Sequence, residues 1–124
     1  MFKIFLILGS INGFLAVGLG AFGAHGLKGK LPADLLEVYQ TGVQYHMYHA
    51  IALVFTALLA DRFSSSSLVH TSGWAFLIGI ILFSGSLYAL SLSGIRVLGA
   101  ITPIGGVAFL VGWILLAVAA MKSL

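Results

Sequence analysis

The amino-acid sequence predicts an all-α membrane protein, a four-transmembrane-helix bundle with both termini on the same side. Two observations carry that expectation. The chain is 60% hydrophobic and 7% charged, with a mean hydropathy of +1.15, whereas roughly a quarter of the residues in soluble domains are charged. So few charges could not cover the surface of a soluble fold. Those charges also leave four long uncharged stretches, each with room for the roughly 20 apolar residues a spanning helix needs. Lipid offers backbone groups no water, so these stretches must be helical. The 124 residues suffice for a single four-helix membrane domain, 1–124.

Lys3 and Lys28 bound the first stretch, and a span is expected at 4–24. One early lysine, an apolar run and the small residues of "GAFGA" invite comparison with a secretory signal. The run exceeds the usual apolar core of about 7–15 residues and is laced with glycine, so a retained helix is expected. Glu37 and Asp61 bound the second stretch, with a span at 39–60. Its helix should begin earlier, near Ala33, because "LPAD" puts a proline near the first turn and Asp34 at the positive end of the helix. Arg62 and Arg96 bound the third, which includes the polar "SSSS" at 64–67 and places a span at 72–92. The fourth span is expected at 101–121. In "ITPIGG", Thr102 fits an N-cap and Pro103 the first helical position; a proline kink inside a longer helix is the alternative.

Four crossings put Lys3, Arg62 and Lys122 on one side and Lys28, Lys30 and Arg96 on the other, so the positive-inside comparison is tied. The net charge of +3 is spread without a basic run, which argues against nucleic acid as a partner. There are no cysteines, hence no disulfides or thiolate metal sites, and the redox compartment stays open.

Helix packing is expected along small-residue seams, because apolar burial gives helices no net drive to associate in lipid. In the first helix Gly9, Gly13, Ala16, Gly20 and Gly23 recur at alternating steps of four and three. In the fourth, Gly105, Ala108, Gly112 and Ala119 make a comparable seam, and in the third Gly85, Ala89 and Ser93 repeat every four. These seams serve either the bundle itself or docking of a second copy or another membrane protein.

Polar chemistry gathers between His25 and Ala50, which hold three of the four histidines. Topology brings His25, Glu37, Tyr45, His46, Tyr48, His49, Tyr88, Arg96 and Thr102 toward one membrane face. On the second helix Gly42, His46, His49, Leu53, Thr56 and Ala60 line one stripe at about 100° per residue. Small residues on that stripe point the histidines inward, with Gln44 and Glu37 nearly opposite.

Ionisable groups inside spans default to a functional hypothesis. His25, His46 and His49 could together hold a metal through neutral imidazole nitrogens. The plainer alternative is that the histidines hydrogen-bond to neighbouring helices. A small-molecule, lipid-headgroup or proton-handling site is a third reading, with histidine titrating near physiological pH. Arg96 either snorkels to headgroup phosphates or neutralises an anion or Glu37. The tyrosines read as an interfacial belt, with Trp74 in that part on the other face and Trp113 packed or lipid-facing. No nucleotide-binding, zinc-protease or serine-hydrolase motif is present, and "GAFGAHG" follows a membrane helix rather than a strand.

Four segments carry a resemblance: "GAFGAHGLK" at 20–28, "QYHMYHAIAL" at 44–53, "SGSLYALSLSG" at 84–94 and "LGAITPIGGVAFLVGW" at 98–113. In order, and over nearly the whole chain, they resemble the YgdD/YwdK-like small bacterial inner-membrane proteins, a domain of unknown function with small transmembrane relatives in animals. The resemblance implies a four-span protein of the bacterial inner (cytoplasmic) membrane. His25 falls in the first motif, His46 and His49 in the second, and Thr102, Pro103, Gly105 and Gly106 in the last; the resemblance assigns none of them a catalytic role.

The function expected is that of a non-enzymatic structural or accessory module associating with other membrane components. The alternative is a binder or oligomeric transporter of a small ligand or metal ion, built on His25, His46, His49, Arg96 and Thr102. An enzyme would need Glu37 within hydrogen-bonding reach of His25 or His46. No cofactor is expected. The expected partners are membrane lipids and either a second copy or another membrane protein.

Overall fold

A computed structural model describes residues 1–123. Helix α1 (Phe2–Phe22) runs without a break into a π-helical turn, Gly23–Leu27. Helix α2 (Ala33–Arg62) follows a short loop in which Gly29 takes a left-handed φ of 82°. Pro32, extended at φ −54° and ψ 149°, precedes the first turn, and Asp34 lies within it. Ser66 starts α3 (Ser67–Gly79), its hydroxyl accepting from Val69 N at 3.4 Å. A second π-helical turn, Ile80–Ser84, carries the same rod into α4 (Gly85–Ser93). Gly94, at φ 75°, ends α4 in the left-handed cap that glycine adopts without a Cβ penalty. A 3₁₀ turn, Arg96–Ala100, leads into α5 (Thr102–Ser123).

Among the described residues, four rods are therefore long and apolar enough to cross a membrane: Phe2–Leu27, Ala33–Arg62, Ser67–Ser93 and Arg96–Lys122. Each extends beyond the span expected from the sequence, because the helices continue past the apolar core into their capping residues. Thr102 is the first residue of α5 rather than its cap, and its hydroxyl meets Ser86 Oγ at 2.6 Å.

The second and third rods form the centre, with 44% and 50% of their most apolar windows buried, against 22% for the first and last. Phe5, Leu53, Ala57, Val69, Phe76, Ile80 and Phe109 make the core. In α1, Gly9 and Ala16 are buried and Gly20 is half-buried, and Gly23 accommodates the Tyr39 ring. This face lies on α2: a Cβ on Gly9 would stand 2.7 Å from Val54 Cγ2, and one on Gly20 3.2 Å from Val43 Cγ1.

Two of the expected seams need correcting. Gly13 meets nothing within 4 Å of its Cβ direction, and it lines a shallow cleft of about 240 Å³ with Gly9, Ala50 and Val54. Ala89 and Ser93 face outward, and a Cβ on half-buried Gly85 would meet nothing within 4 Å, so that stripe is not the packing seam of α4. In α4 the buried positions are instead Ser86, Leu87, Leu90 and Ser91. On α5, Gly105 and Gly112 are buried against Phe83 and Phe76, Ala108 is only half-buried, and Phe109 completes the seam.

Buried hydroxyls are satisfied mostly by backbone carbonyls of their own helix. Thr56 donates to Ala52 O, Ser72 to Val69 O and Ser91 to Tyr88 O, at 2.7, 2.8 and 3.0 Å. Ser84 instead crosses to α2 and donates to Gly42 O at 2.7 Å.

Candidate functional site

The stripe expected on α2 is the buried one: Gly42, His46, His49, Leu53, Thr56 and Ala60 all face the interior. Three residues along a helix turn a side chain by about 60° and raise it about 4.5 Å, so the two histidines enter different helix contacts. His46 points between α1 and α4, and His49 toward α3 and α5.

His46 is 4% exposed. Its Nε2 lies 2.9 Å from Asn12 Oδ1 and its Nδ1 2.8 Å from the Tyr88 hydroxyl. Asn12 Nδ2 donates to Leu8 O at 2.8 Å, which turns the amide oxygen toward the histidine. An amide oxygen only accepts, so His46 carries its proton on Nε2, and the Tyr88 hydroxyl donates to Nδ1. One directed chain thus joins α4, α2 and α1. Tyr88 also packs against Tyr39, with 5.4 Å between ring centroids. The Tyr39 hydroxyl donates to Leu19 O at 2.5 Å, and its ring is fully buried.

His49 takes the opposite tautomer. Trp113 Nε1, which can only donate, gives its hydrogen to His49 Nε2 at 3.1 Å. His49 Nδ1 then carries the proton and donates to Tyr45 O at 2.8 Å. The imidazole lies flat on Phe109, with centroids 3.5 Å apart and planes 7° apart. Phe76 closes another side, at 5.7 Å. Beside this contact an open groove of about 420 Å³ runs between α2 and α5, walled by Tyr45, Phe83, Phe109 and Trp113 over Gly106.

The remaining expected site residues lie elsewhere. His25 is exposed in the π turn after α1. Among the described residues no three His, Cys, Asp or Glu side chains converge as a metal site would require. The set of His25, His46 and His49 is thus not assembled, and each buried ring already uses its one acceptor lone pair inside the bundle. Arg96 pairs with Asp34, not Glu37, at 2.7 Å between Nη2 and Oδ2, with both side chains well exposed. Glu37 is exposed and, among the described residues, no hydrogen bond links it to His25 or His46. Thr102 belongs to the α4–α5 contact through Ser86.

The tyrosines divide. Tyr45 and Tyr48 are exposed, as a belt requires, whereas Tyr39 and Tyr88 serve the interior. Trp74 is 39% exposed and packs edge-on against Phe5, at 5.3 Å.

Asn12 is the member of this buried hydrogen-bond network that the sequence reading missed. It lies in mid-span, three residues after Gly9 and four before Ala16, on the same face. An amide there must find a partner, because an unpaired polar group in hydrocarbon is costly; the opposing polar side chains on α2 are the histidines.

Residues 19–106 match the family described as "Protein of unknown function (DUF423)". The chain is 62% identical over 122 residues to the UPF0382 membrane protein YwdK of Bacillus subtilis, covering 98% of this chain and 99% of that one. It is 48% identical over 120 residues to UPF0382 membrane protein SERP0230 of Staphylococcus epidermidis, and 50% identical over 120 residues to SAB0533 of Staphylococcus aureus. In each of those two cases 97% of both chains is covered. No solved structure matches the chain.

Proposed function

The chain belongs to the DUF423 family of proteins of unknown function, and from that premise we propose that it is a non-catalytic accessory module of the bacterial inner (cytoplasmic) membrane. As a multi-pass membrane protein of four helices, it would act by associating with other membrane components.

The observation that carries this reading is how the interior uses its polar groups. All four ring nitrogens of His46 and His49 are committed to Asn12, Tyr88, Tyr45 and Trp113. Among the described residues no buried side-chain nitrogen or oxygen lacks a partner. Polar side chains spent in this way hold helices together, which suits a rigid body that presents its outer surface. That surface is broad and apolar on both outer rods, with Phe14, Val17, Val107, Leu110 and Ile114 all more than half exposed.

Crosslinking in native lipid, followed by identification of the products, tests the proposal. A reproducible adduct with a second copy or another membrane protein is expected. Only monomer in both detergent and native lipid, with no partner recovered, would refute it.

A further inference from the structure

We propose that the Trp113–His49 hydrogen bond is an acid-labile latch: protonation of His49 releases α5 from α2, while the contacts that His46 makes with α1 and α4 survive. The inference rests on the donors and acceptors around the two rings and is independent of the accessory role above.

Trp113 Nε1 can only donate and Tyr45 O can only accept. His49 sits between them, with Nε2 3.1 Å from the indole and Nδ1 2.8 Å from the carbonyl. Only the neutral ring protonated on Nδ1 satisfies both neighbours. A proton added at Nε2 sets two N–H groups against each other at that separation. The charged ring keeps Tyr45 O and its stack on Phe109, because a cation over an aromatic face is attracted to it. The indole is the group that must leave. It is already 46% exposed, and the groove of about 420 Å³ beside it gives it room.

His46 responds to a proton differently. Its Nε2 already donates to Asn12, and its Nδ1 faces a hydroxyl that can turn from donor to acceptor. Charging His46 therefore breaks neither contact, and the same proton on His49 costs the α5 contact.

Phe76 from α3, Phe109 and Trp113 from α5, and Tyr45 of its own helix face His49. Tyr45 is the titratable one among them, and His46 stands one turn back on α2. Among the described residues no carboxylate bonds to His49; the one ion pair, Arg96–Asp34, is exposed.

The test uses the full chain in lipid nanodiscs with Trp74→Phe, which leaves Trp113 as the sole tryptophan. Emission is followed from about pH 8 to about pH 4, bracketing ordinary histidine titration. Emission should fall along a one-proton curve as the indole loses its acceptor on His49 and turns out of its apolar contact into the open groove. His49→Gln, whose amide can accept from Trp113 and donate to Tyr45 O without titrating, should abolish the fall; His46→Gln should leave it.

The native chain has no cysteine, so spin labels can be placed freely at exposed Phe14, Leu58 and Ile114. The Leu58–Ile114 distance, α2 to α5, should broaden in acid while the Phe14–Leu58 distance, α1 to α2, holds. Should His49→Gln not fold, these two distances decide alone. The latch is refuted by constant emission down to global unfolding, by a fall that survives His49→Gln, or by a fall lost in His46→Gln. It is equally refuted if both distances change together or neither changes.

Discussion

Replacing Gly105 by alanine tests whether close backbone approach holds α5 in place. A Cβ at this position would fall within contact of the Phe83 backbone nitrogen, and 2.8 Å from Phe83 Cα and Cβ. Backbone cannot swing aside as the end of a side chain can, so the two rods must part. Overpacking of this kind costs about 1–3 kcal/mol. Alanine returns about 0.5–1 kcal/mol of the helix penalty that glycine carries. The net expectation is a loss of about 0–2.5 kcal/mol, and mid-range values give about 1.3 kcal/mol, a factor of about 10 in the folding equilibrium.

Gly13→Ala is the internal control, because nothing lies within 4 Å of the added carbon. It gains the same propensity without the clash and should match or slightly exceed the parent. Reversible unfolding in mixed micelles, followed by circular dichroism, measures all three proteins. A Gly105→Ala midpoint at or above the parent's would refute the reasoning, as would an equal loss in Gly13→Ala.

A double-mutant cycle on Asn12→Ala and His46→Ala should give a coupling of about 0.6 kcal/mol and not above about 1.7 kcal/mol, the range for membrane hydrogen bonds; zero coupling would mean that the amide and the imidazole do not bond. Arg96→Ala should leave the unfolding midpoint unchanged, since its pair with Asp34 is solvent-exposed and screened; a loss as large as that of Asn12→Ala would contradict the surface placement. Added zinc should not raise the midpoint, because the buried histidines have no free lone pair. A zinc-dependent rise that His46→Ala removes would overturn the assignment of the His46 lone pair to Tyr88.

Periodicity on α2 was legible because its stripe mixes glycine, alanine and threonine with the histidines, and one unbroken helix preserves the phase from Gly42 to Ala60. The third rod shows where that logic stops. Its π turn at Ile80–Ser84 resets the helical phase, so the face that α3 buries does not continue into α4 at ideal spacing. In the four-residue repeat of Gly85, Ala89 and Ser93, the last two consequently point outward. Small residues permit close approach, but a neighbour must come near enough to use it, and none lies within 4 Å of where a Cβ on Gly13 would stand.

Composition and the placement of charges pointed to a four-helix membrane protein, because lipid admits only helices and closed barrels, and the four uncharged stretches have the length of spanning helices rather than of strands. The sequence also located the polar interior on one stripe of α2. It could not choose partners for that stripe. Asn12, Tyr88 and Trp113 lie 34, 42 and 64 residues from the histidines they bond, and only the relative rotation and depth of the packed helices bring them within hydrogen-bonding distance. Those contacts, decided in three dimensions, set opposite tautomers on two histidines three residues apart, and they leave His25 and Arg96 outside.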